Sequence, residues 1–210
     1  MNERSEVRLW DRQATGLTEA TLIDLMSQDE VTKAAASWKQ LIDERIAELN
    51  SQGTPRDQWP EHAHWDWRAK AEHISGILAY QILGIECDHA IQGMMLIATE
   101  GKACRVLDQH AKPLVYIHFL ATAPWNDPDF VSLPRYGGVG KVFIAAAIQL
   151  SIDNGFKGRI GLHSLPQADQ FYSACGMTDL GQDSSPNAQN LHYYEMTQKQ
   201  AETFMTRGQT

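Results

Sequence analysis

The sequence predicts one α/β domain with a mixed, mostly antiparallel sheet, one parallel pair of strands joined by a crossover helix, and helices on both faces. Two segments rich in strand formers, 79–86 and 91–99, flank a turn and predict an antiparallel hairpin. A strong strand at 114–122, an apolar helix at 139–154 and a short strand at 159–163 follow in that order. This order is typical of parallel neighbours joined by a right-handed crossover. A length of 210 residues suits one core.

Composition agrees with a folded, ordinary globular chain. Hydrophobic residues make up 43% and charged residues 21% of the sequence, which lies outside the range typical of disorder. The first residues are charged, and no apolar run approaches the roughly 18 residues of a membrane span, so we expect a cytoplasmic protein without membrane partners. The cysteines Cys87, Cys104 and Cys175 lack the spacing of a zinc site or disulfide framework and are predicted to be buried thiols.

The net charge of −8, without a basic run, argues against binding to nucleic acid. A cationic substrate suits an acidic chain better, although acidity also serves solubility alone. Charge therefore excludes one class of partner and does not choose another.

The first part of the chain is predicted to be mainly helical. Residues 7–10 could form a short strand, and residues 16–26 are predicted to form a turn and a helix. Ser27 and Glu30 have the spacing of a capping box, which predicts the start of an amphipathic helix. The segment 53–55, Gly-Thr-Pro, ends that helix.

The later elements follow from turn and helix signals. Gly155 closes the apolar helix, Pro166 opens a second helix that runs to Cys175, and residues 191–196 predict a last strand before a polar tail. The single domain is predicted to comprise a helical N-terminal part, a core and a tail: 1–76, 77–196 and 197–210.

The strongest local signal is a glycine-rich segment between the central strand and the apolar helix: Arg135, Tyr136, Gly137, Gly138, Val139, Gly140 and Lys141. Glycines permit unusual φ values, so that backbone amides can converge on one anion, and a helix N-terminus adds about 0.3–1 kcal/mol for a charge placed there. The flanking Arg135 and Lys141 add positive charge. The Walker pattern would need a glycine at the position of Arg135, and the Rossmann pattern would need one at the position of Phe143, so the sequence matches neither. The sequence therefore predicts a diphosphate-binding loop that is neither a Walker loop nor a Rossmann loop.

Two motifs carry a resemblance to a known family. The loop from Arg135 to Gly140 matches R-x-x-G-x-G, and residues 168–177 match A-x-x-F-Y-x-x-x-G-F except that Met177 replaces the final Phe. The sequence thereby resembles the GNAT superfamily of acyl-CoA-dependent N-acyltransferases over about 79–196. The order of predicted strands and helices in this stretch is also similar to the family pattern.

The resemblance implies transfer of an acetyl or short acyl group from acetyl-CoA to a primary amine, directly and through a tetrahedral intermediate, without a metal. It implies that residues 135–141 bind the pyrophosphate, and that Phe171 and Tyr172 also contact the coenzyme. The thioester would lie between two splayed parallel strands, and Tyr172 would be the general acid that returns a proton to the thiolate. A backbone amide would bind the thioester carbonyl, with these matching positions: Leu120, Ala121 and Thr122.

An attacking amine must lose a proton, and two histidines are candidate bases. His118 and His163 lie on the two predicted parallel strands, and imidazole titrates in a suitable range. Strand alternation could equally direct either ring into the core, and Glu86 or Glu100 could act through water. The family often has an Asn at the position of Leu165, so one coenzyme contact differs here.

Two features leave alternatives open. Between Trp59 and Trp67 lies an aromatic and imidazole cluster that could line an acceptor pocket, clasp the pantetheine arm or simply pack: Trp59, His62, His64, Trp65 and Trp67.

A non-catalytic acyl-CoA sensor or interaction protein is the alternative to an enzyme. A toxin that acylates aminoacyl-tRNA is a third reading, which the acidic charge disfavours. The acceptor could be a small molecule or a protein, and a homodimer is compatible with an exposed sheet edge.

Overall fold

The structure is a computed structural model and describes residues 4–207. The strands over these residues are β1 Arg4–Asp11, β2 Gly16–Ile23, β3 Tyr80–Cys87, β4 Ala90–Ala98, β5 Val115–Thr122, β6 Tyr136–Gly137, β7 Ile160–Ser164, β8 Thr178–Gln182 and β9 His192–Met196. The α-helices are α1 Gln28–Ser51, α2 Trp67–Ile74, α3 Val139–Asp153, α4 Asp169–Ala174 and α5 Gln198–Arg207. None of these helices is long and apolar enough to cross a membrane. The outermost residues of the predicted N-terminal part and tail, 1–3 and 208–210, lie outside the described residues.

The strands form one mixed sheet, in the order β6-β1-β2-β3-β4-β5-β7-β9-β8. The pairs β1–β2, β2–β3, β7–β9 and β8–β9 are antiparallel, whereas β5 and β7 are parallel. The predicted fold class, a mostly antiparallel sheet with one parallel pair, is confirmed. Because β8 lies outside β9, the last strand of the chain is not the sheet edge.

Two compact units make up the chain. One comprises the residues up to Met95 together with Leu120–Gly140, and the other comprises Leu96–Phe119 together with the residues from Lys141 onward. The prediction of a single domain stays a prediction.

The first unit begins with a hairpin, so the prediction of a helix over 16–26 is wrong. Strands β1 and β2 pair along their whole length, from Arg4 opposite Ile23 to Asp11 opposite Gly16. The Asp11 carboxylate accepts bonds from the amides of Gln13 and Ala14, which fixes the turn. Residues 16–22 of β2 alternate between less and more exposed positions, which is the period of a strand rather than of a helix.

Helix α1 follows as predicted. The Ser27 hydroxyl accepts from the Glu30 amide while the Glu30 carboxylate accepts from the Ser27 amide, which completes the capping box. The buried side chains Val31, Ala34 and Trp38 share one face. Helix α2, which the sequence analysis did not identify, is capped by the Asp66 side chain. The N-terminal part is thus a hairpin followed by two helices.

The hairpin of β3 and β4 is confirmed, and its turn lies at Asp88 and His89. Both residues have positive φ, 50° and 59°, which matches the tolerance of Asp and His for the left-handed region. Strand β4 is buried along most of its length, with Met94 and Met95 fully covered. It therefore contributes to the hydrophobic core rather than to a solvent-facing surface.

The second unit contains the parallel pair and the crossover helix. Helix α3 buries Phe143, Ile144 and Ile148 and ends before Gly155, whose φ of 76° fits the C′ position.

Two C-terminal elements depart from the prediction. The expected polar tail forms α5, whose buried Ala201 packs toward Gly158. Strand β8 forms after the predicted helix because Gly176, with φ 82°, ends α4.

Candidate functional site

The glycine loop is held on its N-terminal side by backbone pairing. Strand β6 pairs with β1, which places Tyr136 opposite Asp11 and Gly137 opposite Trp10. The Arg135 amide donates to the Trp125 carbonyl at 3.0 Å. The conformation of the loop is therefore set before the helix begins.

Two buried amide side chains support this loop, and the sequence analysis did not identify them. The Asn126 side chain accepts from the Tyr136 amide at 2.9 Å and donates to Gln92 Oε1 at 2.9 Å. Gln92, 2% exposed, also accepts from the Trp125 indole at 2.8 Å. Buried polar groups whose bonds are satisfied hold a backbone rigidly. A lone Gln on an apolar strand and an Asn in an irregular loop give no local signal of this role.

Helix α3 begins at the point where the glycines lie. Gly138 has a φ of 90°, a conformation that other residues rarely adopt, and Val139 is the first helical residue. The first four amides of a helix have no partner within it, so the amides from Val139 onward can bind an anion. Lys141 is exposed in the first turn and belongs to the second unit.

The Arg135 guanidinium is engaged by carboxylates in this structure. It pairs with Asp88, lies 3.9 Å from Asp11 Oδ2 and stacks on the Tyr136 ring at 4.7 Å. The Tyr136 hydroxyl donates to the same Asp88 oxygen at 2.7 Å. This bond, with Arg135, holds the pKa of Asp88 below its usual range. The positive charge that the sequence predicts at Arg135 is therefore partly neutralised.

A cleft of about 320 Å³ adjoins this ion pair within the first unit. Its walls combine a carboxylate, a guanidinium, amides and apolar side chains: Gln13, Asp88, Ala90, Gln92, Trp125, Val131, Leu133 and Arg135. Arg135 and Asp88 thus border a space that a ligand could occupy.

The aromatic cluster of the sequence analysis consists largely of packing contacts. The ring of His62 contacts Trp65 at 5.7 Å and Phe130 at 5.4 Å, and the Trp59 indole donates to the Thr54 carbonyl. His62 Nε2 lies 3.4 Å from Asp127 Oδ2. Burial lowers the pKa of His62 and raises that of Asp127. Over residues 4–207, no three His, Cys, Asp or Glu side chains converge in a way that could hold a metal ion.

In the second unit, Phe171 and Tyr172 lie on the short helix α4. Their rings are 5.1 Å apart, and Tyr172 also contacts the Tyr194 ring at 5.9 Å. Tyr172 is 7% exposed, and burial raises the pKa of its phenol. The phenol therefore keeps its proton at neutral pH.

The parallel pairing of β5 and β7 is short. It runs from Val115 opposite Ile160 to Ile117 opposite Leu162. Both predicted histidines, His118 and His163, follow the last of these pairs directly. The carbonyl-binding candidates lie farther along β5, where Ala121 is buried and the others are half-buried: Leu120, Ala121 and Thr122.

The two histidines have different surroundings. His118 contacts the Tyr116 ring edge-on at 4.6 Å, and burial, with Lys102 and His163 nearby, lowers the pKa of His118 to about 4. His163 instead bonds through both ring nitrogens, to Tyr116 Oη at 2.5 Å and to Asp183 Oδ2 at 2.8 Å. The remaining base candidates lie elsewhere: Glu86 on β3 forms an ion pair with Arg4, and Glu100 is in an exposed turn.

Comparisons with known proteins agree with this geometry at the level of the fold. No family model and no curated protein matches the sequence, but solved structures do. An uncharacterised protein from Bacillus halodurans superposes with a TM-score of 0.58 at 8% identity, covering 96% of this chain and 95% of that one. A GNAT-family acetyltransferase from Listeria monocytogenes gives 0.52 at 14% identity, with coverage of 90% and 99%. Mycobacterium smegmatis RimJ, in complex with CoA-disulfide, gives 0.51 at 15% identity, with coverage of 99% and 95%.

The topology defines a mixed α/β protein with a glycine loop at the start of the crossover helix. Its fold is that of the GNAT superfamily, as the resemblance over 79–196 predicted. At these identities the comparisons show the fold, and activity has to be argued from the residues.

Proposed function

We propose that this protein transfers an acetyl or short acyl group from acyl-CoA to a primary amine. The observation that carries the proposal is the glycine loop at the start of α3, where Gly138 has positive φ and the first helical amides lack intrahelical partners. The loop follows the parallel strand β5, as the resemblance implies for a coenzyme-binding loop. In Mycobacterium smegmatis RimJ, which shares the fold, CoA-disulfide is bound.

The coenzyme roles are assigned residue by residue. Amides of Gly138, Val139 and Gly140 bind the pyrophosphate, with charge from Arg135 and Lys141. Tyr136 and Gly137 hold the preceding backbone through their pairing with β1. Phe171 contacts the coenzyme. An amide from the end of β5 binds the thioester carbonyl and stabilises the oxyanion, with these candidates: Leu120, Ala121 and Thr122.

The proposed reaction needs a base that takes a proton from the amine and an acid that gives one to the thiolate. The amine nitrogen attacks the thioester carbon, and the tetrahedral intermediate collapses when the C–S bond breaks. Tyr172, whose phenol is neutral at pH 7, gives its proton to the departing thiolate. His118 and His163 are the proposed sources of base catalysis. The low pKa of His118 leaves its ring neutral at pH 7.

Calorimetric titration of acetyl-CoA and CoA into the purified protein tests the coenzyme site. We expect saturable binding that weakens about two- to fivefold in Lys141→Ala, the size of one exposed charge contact, and further in Arg135→Ala, Lys141→Ala. Lys199→Ala, which removes an equally exposed lysine from α5, should bind like the wild type. Absence of binding by the folded wild-type protein would contradict the proposal.

Turnover separates the enzyme from its alternative. Thiol release should require both acetyl-CoA and an amine, tested with spermidine, an aminoglycoside and a lysine-containing peptide. Coenzyme binding without release across this panel would favour the acyl-CoA sensor. Loss of activity after ribonuclease treatment would instead favour an RNA-linked acceptor.

A further inference from the structure

A chain of hydrogen bonds crosses the second unit and centres on His163. The Tyr116 hydroxyl meets His163 Nδ1 at 2.5 Å, and His163 Nε2 meets Asp183 Oδ2 at 2.8 Å. The same Asp183 oxygen accepts from Arg105 at 2.6 Å, while Oδ1 accepts from the Ser185 amide at 2.9 Å. Two segments that are distant in sequence, at Tyr116 and at Asp183, thus bond to the two nitrogens of one imidazole.

The partners of His163 define where its proton lies. Bonds from the Ser185 amide, His163 and Arg105 hold the pKa of Asp183 well below its usual range, so this carboxylate accepts only. The Nε2 atom of His163 must therefore carry the hydrogen. Burial raises the pKa of Tyr116 to about 12, so its hydroxyl keeps a proton and donates it to Nδ1. The chain runs in one direction, from Tyr116 through His163 to Asp183.

The surroundings of His163 keep this chain in place. The Tyr193 ring lies 4.8 Å from the imidazole and carries the Arg105 guanidinium 3.9 Å above it. Glu195, 2% exposed, accepts from the Arg105 amide at 2.5 Å and the Val106 amide at 3.0 Å. Arg105 is thus fixed at its backbone and its side chain, which in turn orients Asp183.

The chain and Tyr172 lie on opposite faces of the sheet. Tyr193 and Tyr194 are consecutive on β9, so their side chains point to opposite faces. Tyr193 contacts His163, whereas Tyr194 contacts Tyr172. In acyl transfer the entering nitrogen loses a proton and the departing sulfur gains one, so groups on the two faces can serve the two atoms separately.

We propose that Tyr116, His163 and Asp183 form a relay that removes the proton from the attacking amine, a role that rests on the proposed function. As the C–N bond forms, the amine proton passes to Tyr116 Oη while the Tyr116 proton passes to His163 Nδ1. The resulting imidazolium is stabilised by the Asp183 carboxylate. When the C–S bond breaks, Tyr172 protonates the thiolate. Water then takes the proton from His163 and restores that of Tyr172. Tyr116 is the catalytic residue of the relay; His163 and Asp183 act through it.

Substitution of each member tests the relay by steady-state kinetics with the acetyl-CoA and amine panel above. Tyr116→Phe and Asp183→Asn should each lower kcat about 100-fold or more while KM for acetyl-CoA stays within about twofold. Asp179→Asn is the matched control, because Asp179 also pairs with a histidine, His192, at 2.9 Å. It should leave kcat unchanged. A kcat in Tyr116→Phe within about threefold of the wild type would overturn the relay while leaving the acyltransferase intact.

Imidazole ¹⁵N NMR gives a readout that a purely structural role would not produce. The His163 signals, identified by their loss in His163→Gln, should show hydrogen on Nε2 and an accepting Nδ1 whose resonance shifts in Tyr116→Phe. Hydrogen on Nδ1 in neutral His163 would overturn the relay even with full activity. Coenzyme binding without turnover of any amine would overturn the acyltransferase proposal and the relay together, which distinguishes that failure from failure of the relay alone.

Discussion

The glycine loop and the network around His163 are assembled in opposite ways. The loop uses seven consecutive residues, 135–141, whose backbone is proposed to bind the coenzyme. The network joins Tyr116 to His163 across 47 positions and the Arg105 amide to Glu195 across 90. A binding element made of contiguous backbone leaves a sequence motif, whereas one made of distant side chains exists only once the sheet has formed.

The two regions also differ in how charge is held. Arg135 is 39% exposed at its side chain and balanced by the exposed Asp88. Glu195 is 2% exposed and bonded to two backbone amides. An exposed ion pair contributes little to stability, while a buried group that loses its partner is costly. Changes at the loop should therefore act on ligand affinity, and changes in the network on turnover or folding.

The largest expected effect concerns Tyr172, the proposed general acid, because loss of a general acid removes about 10²–10⁴ in rate. Tyr172→Phe should lower kcat at least about 100-fold while acetyl-CoA affinity, measured by calorimetry, stays within about twofold. Tyr194→Phe, which removes the hydroxyl of the ring packed against Tyr172, is the control and should turn over nearly normally. Normal turnover of Tyr172→Phe would assign the thiolate's proton to another group.

A smaller effect, on stability, is expected at Glu195. In Glu195→Gln one carboxylate oxygen is replaced by an NH₂ group, which cannot accept a hydrogen bond from a backbone amide. One buried hydrogen bond is therefore lost, at a cost of about 1–3 kcal/mol. For a chain of this length, that corresponds to a fall in Tm of about 2–10 °C by calorimetry. Glu202→Gln, an exposed acid on α5, should leave Tm unchanged. An unchanged Tm in Glu195→Gln would mean that the two amide bonds do not hold the segment at Arg105.

The sequence was sufficient for elements with strong local signals. The capping box at Ser27, the hairpin around Asp88 and the strand, helix and strand from β5 to β7 were predicted, and the structure confirms them. These depend on caps, turn residues and apolar periods that act within a few residues. The signal of the glycine loop is local in the same way, and its coenzyme-binding role stays a prediction.

The elements and residues that the sequence did not predict depend on contacts with residues far along the chain. Strand β2 carries residues that suit a helix start as well as a strand, and its pairing with β1 and β3 decides the outcome. Strand β8 forms beside β9, which comes later in the sequence. Gln92, Asn126 and Asp183 give no local signal, because their roles come from contacts across 10 to 34 positions.

The smallest expected effect tests whether the balanced charge at the loop limits coenzyme affinity. In Asp88→Asn the guanidinium of Arg135 loses its nearest carboxylate and keeps only Asp11, 3.9 Å away. Acetyl-CoA binding should tighten about two- to fivefold at pH 7, the size of an exposed ion pair. Because the Tyr136 bond and Arg135 lower the pKa of Asp88, the difference from the wild type should persist from pH 8 to pH 5 and vanish only as more acidic solution protonates Asp88. Glu86→Gln removes a carboxylate that pairs with Arg4 instead, and should not change affinity. Weaker binding by Asp88→Asn would mean that the ion pair orders the loop for the coenzyme rather than competing with it.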